Sequence, residues 1–123
     1  MNLRFKRNPN VNHNITNNDI KNFTSFITQE NGIKFYDQKY LIKFNGNGRA
    51  YDSRELSHWL KHQMQSTGKM YLPYSRMNVT PLMFVKTHIA SLSNNKDKKK
   101  MLEILRNGGD ETLLKLTLLF LSS

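Results

Sequence analysis

The sequence has no cysteine and only three prolines. Without thiols it can build neither a disulfide framework nor a Cys-ligated zinc or iron–sulfur site, and their absence fits an intracellular setting. Acidic residues are scarce: nine Asp and Glu stand against nineteen Lys and Arg, a formal charge of +10. Long apolar runs are missing too. The opening MNLRFKRNPN has none, so no targeting segment is expected, and the tail LLKLTLLFLSS is short and contains Lys115. The expected location is therefore intracellular, in cytoplasm or nucleus, or in a virion if the chain serves assembly, with no membrane partner. No nucleophile elbow, phosphate loop or kinase set occurs. His58 and His62 have the i, i+4 spacing of a metal pair, but no third ligand and no zinc-protease Glu accompany them. The expectation is no metal, no cofactor and no catalytic residue.

What is present is enough for one folded domain. A chain of 123 residues can bury a modest core, and seven Phe, five Tyr and one Trp supply its bulk. The excess positive charge favours acidic partners, such as nucleic acid or an acidic protein, and also keeps a small protein soluble. Residues 1–18 are polar, with Pro9 and a run of Asn, and read as a basic arm that is either a β-edge or a tether. Residues 19–123 read as a single α+β domain, with a core at 31–92 and a helical extension at 93–123.

Along the chain, Asp19–Glu30 has the pattern of a helix capped by Asn18 or Asn17, with Ile20, Phe23 and Ile27 on one face. Ile33–Phe44 reads as two short strands around Asp37-Gln38-Lys39. The turn Asn45-Gly46-Asn47-Gly48 then leads into a returning strand, Arg49-Ala50-Tyr51. Asp52 and Glu55 have capping-box spacing ahead of a helix over Ser53–Met64, which puts Leu56, Trp59, Leu60 and Gln63 on one side. Gln65–Val79 has no sustained period and reads as an irregular loop with a Pro73-Tyr74-Ser75-Arg76 knuckle. Thr80-Pro81 starts a second helix, striped with Leu82, Val85, Ile89 and Leu92. A basic connection over 93–100 runs into a helix that ends at Asn107-Gly108-Gly109, and Asp110 caps a last helix through Leu121. That helix is apolar nearly all round, which marks Leu113–Leu121 for a core or for contact with an assembly partner.

Two basic clusters are candidates for binding nucleic acid: Arg4, Lys6 and Arg7 in the arm, and Lys96, Lys98, Lys99 and Lys100 further on. Lysines also alternate with aromatics at Lys34-Phe35-Tyr36, Lys39-Tyr40 and Lys43-Phe44. Strand geometry would turn those aromatics inward and the lysines outward.

The central motifs have a further pattern. Gly48-Arg49-Ala50-Tyr51-Asp52, then Leu56, Trp59 and Leu60, then Pro73-Tyr74-Ser75-Arg76, then Thr80-Pro81 with Leu82, Val85 and Ile89 follow in order. Over residues 31–92 the chain resembles a U-box, the zinc-free relative of the RING domain. Asn31-Gly32-Ile33 and Leu41-Ile42 stand where that family carries Cys-Pro-Ile-like and Asp-Pro signatures, and Leu82 stands where it has Asn. The resemblance implies a small β-hairpin and helix core, which the helices read on either side, one N-terminal and two C-terminal, would flank. It implies a groove for a ubiquitin-conjugating enzyme at Ile33 or Phe35, Trp59 and Pro73, and at Arg76 a donor that holds ubiquitin in a reactive pose. Any activity would be that of a RING-type or U-box-type ubiquitin ligase that positions its partner without covalent catalysis. The alternatives are a basic structural or assembly protein, such as a minor virion component, and a nucleic-acid-binding module.

Overall fold

The strand β2, Leu41–Phe44, is buried along its whole length, Lys43 included. Burial on both faces suits a middle strand, and β2 lies between β1, Val11–Asn12, and β3, Tyr51–Asp52, in an antiparallel sheet. The register pairs Val11 with Phe44 and Ile42 with Tyr51. The computed structural model describes residues 11–26, 37–44 and 48–122. Within them the order is β1, α1 (Asn17–Lys21), β2, β3, α2 (Ser53–Thr67), α3 (Pro81–Ala90) and α4 (Asn95–Ser122). The fold class is α+β.

Burying Lys43 requires a counter-charge. Its Nζ donates to Asp19 Oδ2 at 2.9 Å, and the same oxygen accepts the Thr16 amide. Asp19 therefore serves a capping box with Thr16, and that box fixes a helix start earlier than the apolar spacing suggests. The expected helix over Asp19–Glu30 is five residues long, Asn17–Lys21, and ends at Asn22. Phe23 turns inward to pack with Leu41 and Ala50, so its i+3 spacing from Ile20 reflects shared burial and not a continuing helix. Residues 27–30, with Ile27, lie outside the described residues.

Of the strand pair expected around Asp37-Gln38-Lys39, the second is β2, which starts at Leu41 and not at Tyr40. Gln38–Tyr40 is a 3₁₀ turn, because the Asp37 carboxylate accepts the Lys39 amide at 3.0 Å and bends the chain into β2. Ile33 to Tyr36 lie outside the described residues.

Asp52 caps α2 by accepting the amides of Arg54 and Glu55, while the Arg54 guanidinium forks onto both its oxygens at 3.2 and 2.9 Å. Glu55 turns its Oε2 to the Ser25 hydroxyl, 2.8 Å away. The helix runs one turn beyond the expected Met64, to Thr67. Thr67 Oγ1 bonds back to the Gln63 carbonyl at 2.8 Å, and Gly68, at φ 78°, provides the left-handed stop.

α3 begins as expected, with Thr80 Oγ1 accepting the Met83 amide and Pro81 in the first turn. It is enclosed by α2, α4 and the sheet, so its buried set is wider than a stripe: Met83, Phe84, Val85, Thr87, Ile89 and Ala90. With Ile42, Phe44, Leu56, Leu60, Met70, Leu72 and Val79 these form the main core.

α4 is bent at Gly109, where φ 68° and ψ −162° are not helical. The bend returns its second half to the core, where Leu116 and Phe120 are buried and Phe120 stacks on His88 at 4.1 Å. Leu114, Leu118 and Leu119 face outward, more than half exposed. Among the described residues no helix is long and apolar enough to cross a membrane.

Candidate functional site

The stretch after α2, read as an irregular loop, is a tight hairpin. The Val79 amide donates to the Met70 carbonyl, Leu72 to Met77 and Arg76 to Leu72, with a bridge between Tyr71 and Asn78. Met70, Leu72 and Val79 are buried and anchor it from beneath. The turn itself is tightly wound. The Ser75 amide reaches the Pro73 carbonyl at 2.7 Å across Tyr74, whose φ is 68°. This is the rarer, positive-φ type of γ-turn, a strained geometry. Arg76 follows at φ 58°, in the left-handed region that non-glycine residues seldom adopt. These are the two positive-φ non-glycine residues among those described.

Three side chains from outside hold the knuckle in place. The Tyr51 hydroxyl donates to the Pro73 carbonyl at 3.1 Å, and burial raises the pKa of that phenol, which keeps it a donor. Gln63 Oε1 accepts the Tyr71 amide at 2.6 Å. The Arg49 guanidinium lies 3.9 Å from the centre of the Tyr74 ring and covers its face. Trp59, one turn before Gln63 on α2, is braced edge-on by Phe26 at 5.7 Å, and Phe26 also meets Tyr51.

The result is an open groove of ≈ 590 Å³ lined by Trp59, Gln63, Tyr71, Leu72, Pro73, Tyr74 and Arg76. Its lining is mostly aromatic and apolar, with the Gln63 amide and, at the rim, the Arg76 guanidinium as its polar groups. Among the described residues Arg76 makes no ion pair, and its side chain is exposed. The groove can receive an apolar side chain or loop tip, and Arg76 can donate to an acceptor carried beside it.

Of the residues singled out in the sequence, Trp59, Pro73 and Arg76 meet in this groove, although they come from a helix and a separate hairpin. Ile33 and Phe35 lie outside the described residues. Sequence reading missed Gln63, Tyr71, Leu72 and Tyr74 as lining. The signal available was the run of large residues Met70, Tyr71, Leu72 and Tyr74 in a segment without period.

The basic residues separate differently. Arg4, Lys6 and Arg7 lie outside the described residues. Lys98 and Lys99 line a second cleft with His13 and Lys39, while Lys96 and Lys100 are exposed on the first turns of α4. The segment Leu113–Leu121 divides, with Leu116, Thr117 and Phe120 in the core and Leu114, Leu118 and Leu119 on the surface. No protein-family model, no curated protein and no solved structure matches this chain.

Proposed function

We propose that the chain is a U-box-like docking module that receives a ubiquitin-conjugating enzyme in the Trp59–Pro73 groove and promotes ubiquitin transfer from it. The observation that carries this reading is the meeting of Trp59, Pro73 and Arg76 on one groove beside a strained, strapped turn. The succession of hairpin, capped helix, knuckle and second helix also supports it. Trp59 and Pro73 provide the apolar seat. Arg76, held by its left-handed backbone at the rim, is a charge-assisted donor to the conjugated ubiquitin. Catalysis on this reading is positioning, and no side chain of the module enters the bond-making.

The test is ubiquitin discharge from a panel of charged conjugating enzymes, with direct binding measured beside it. Trp59→Ala should weaken docking by tenfold or more, as for a central aromatic anchor of about 2 kcal/mol. Arg76→Ala should leave the dissociation constant unchanged and slow discharge. Equal loss of binding and transfer in Arg76→Ala would remove the role given to that residue. Absence of stimulation across the panel would remove the ligase reading.

The assembly reading has one observation of its own, the outward-facing Leu114, Leu118 and Leu119. A stoichiometric partner that protects these leucines from solvent would support it.

A further inference from the structure

A second concavity lies between the 3₁₀ turn at Gln38–Tyr40 and the start of α4, apart from the knuckle groove. It is an open cleft of ≈ 830 Å³ lined by His13, Ile15, Asp37, Gln38, Lys39, Asn95, Lys98, Lys99 and Leu102. Lysines 39, 98 and 99 converge on it from two elements distant in sequence. The ammonium groups of Lys39 and Lys98 both gather over the ring of Tyr40, at 5.1 and 5.4 Å from its centroid. Arg54 lies against the same ring at 4.0 Å.

This crowding is only partly offset within the protein, by Asp37. Among the described residues, no carboxylate forms an ion pair with Lys39, Lys98 or Lys99. The cleft's one acidic lining residue, Asp37, directs Oδ1 to the Lys39 amide to cap the turn. Burial first, and then the neighbouring Lys39 ammonium, lower the pKa of Lys98, against the raising effect of Asp37. The first amides of α4 are already engaged, since Asn94 Oδ1 accepts from Lys96 and Asp97, so the lysine ammoniums are the free donors.

We infer that this cleft seats the phosphodiester backbone of a single-stranded nucleic acid, with Lys39, Lys98 and Lys99 contacting its phosphates. A point-charge ammonium is suited to phosphate oxygens, and phosphates placed between the lysines would relieve their repulsion. A strand fits better than a compact anion because the cleft is open and its lysines come from two separate elements, the 3₁₀ turn and α4. Ile15 and Leu102 give apolar walls against which sugars and bases can lie. The formal charge of +10 draws such a polymer to the protein. This site does not depend on the knuckle groove or on the function proposed for it.

The test is fluorescence anisotropy with a short labelled oligo(dT) on the full chain, over about 50 to 200 mM salt. For the wild type, the logarithm of affinity should fall with the logarithm of salt by about 0.7 for each phosphate contacted. The double variant Lys39→Gln/Lys98→Gln should bind at least tenfold more weakly and lose about 0.7 of slope per lysine removed. Lys39→Arg/Lys98→Arg should bind as the wild type does, and comparison of its unfolding curve with that of the Gln pair separates lost contacts from lost fold. A control with the same charge change outside the cleft, Lys69→Gln/Lys115→Gln, should keep the slope. Equal weakening in that control would reduce the effect to net charge and overturn the site. So would absence of binding by the wild type, or displacement of the strand by poly-glutamate at the same charge concentration.

Discussion

The Tyr51 hydroxyl ties β3 to the knuckle through the Pro73 carbonyl. That carbonyl also accepts the Ser75 amide, so Tyr51→Phe leaves no acceptor stranded. The expected cost is accordingly that of one net hydrogen bond, about 1 kcal/mol, with the fold intact. The local effect should be larger than the global one. Amide exchange at Ser75 and Arg76 should quicken while that of buried α3 amides changes little, and uniform quickening would show that Tyr51 serves the core alone. Sequence reading recognised Asp52 as a cap because capping is local chemistry. The strap by its neighbour Tyr51 spans 22 residues and has no local signature. Gln63 was assigned to a helix face, but its acceptor role toward Tyr71 depends on where the hairpin folds back.

At the scale of elements, the bend in α4 decides which leucines are buried. Gly109 sits at φ 68° and ψ −162°, a region open essentially to glycine alone. Gly109→Ala should therefore destabilise by about 1–3 kcal/mol, read as a lower midpoint in urea. The loss should come with disturbed packing of Phe120 on His88, visible in the imidazole proton shifts of His88. An unchanged midpoint would mean that the two halves of α4 pack independently of the bend. Gly108 limits the same corner in a different way, since a Cβ there would collide with the Thr112 side chain. The Asn107-Gly108-Gly109 break was readable because glycine pairs end helices. The short α1 was not, because the ion pair of Asp19 with buried Lys43 that helps place it joins residues 24 apart.

For the whole molecule, charge and burial set how stability responds to pH. His88 is stacked on Phe120, and its Nδ1 lies 3.0 Å from the Ser57 hydroxyl. Burial, and then Lys61, lower its pKa from the ordinary 6.5. His13 is lowered as well, by burial first and then by Lys98, against the raising effect of the Leu41 carbonyl. Above pH 6.5 both imidazoles are neutral folded or unfolded, and their contribution is fully present. As pH falls below 6.5 the unfolded chain takes up protons that the folded one resists, so stability declines toward the lowered folded values. Urea unfolding at a series of pH values should show this decline, and His88→Gln should make it shallower. A slope unchanged in that variant would place the proton uptake elsewhere. A lower window belongs to Asp19, whose pKa is lowered by the Thr16 amide first and then by Lys43. Its contribution is present above pH 3.8 and is lost as pH falls through the lowered folded value.

The sequence by itself determined the α+β class, the start of α2 at Asp52 and of α3 at Thr80, and the break at Gly109. Each depends on backbone groups and side chains within one turn of one another, where composition and spacing are sufficient. Tertiary structure decided the order of the three strands, the end of α1, the hairpin beneath the knuckle and the two faces of the last helical segment. It also brought Trp59 to Pro73 and Lys39 to Lys98. These depend on contacts between residues far apart in the chain. Such contacts are selected by which apolar surfaces can be buried together and which buried charge can find a partner, and neither is encoded in a local window.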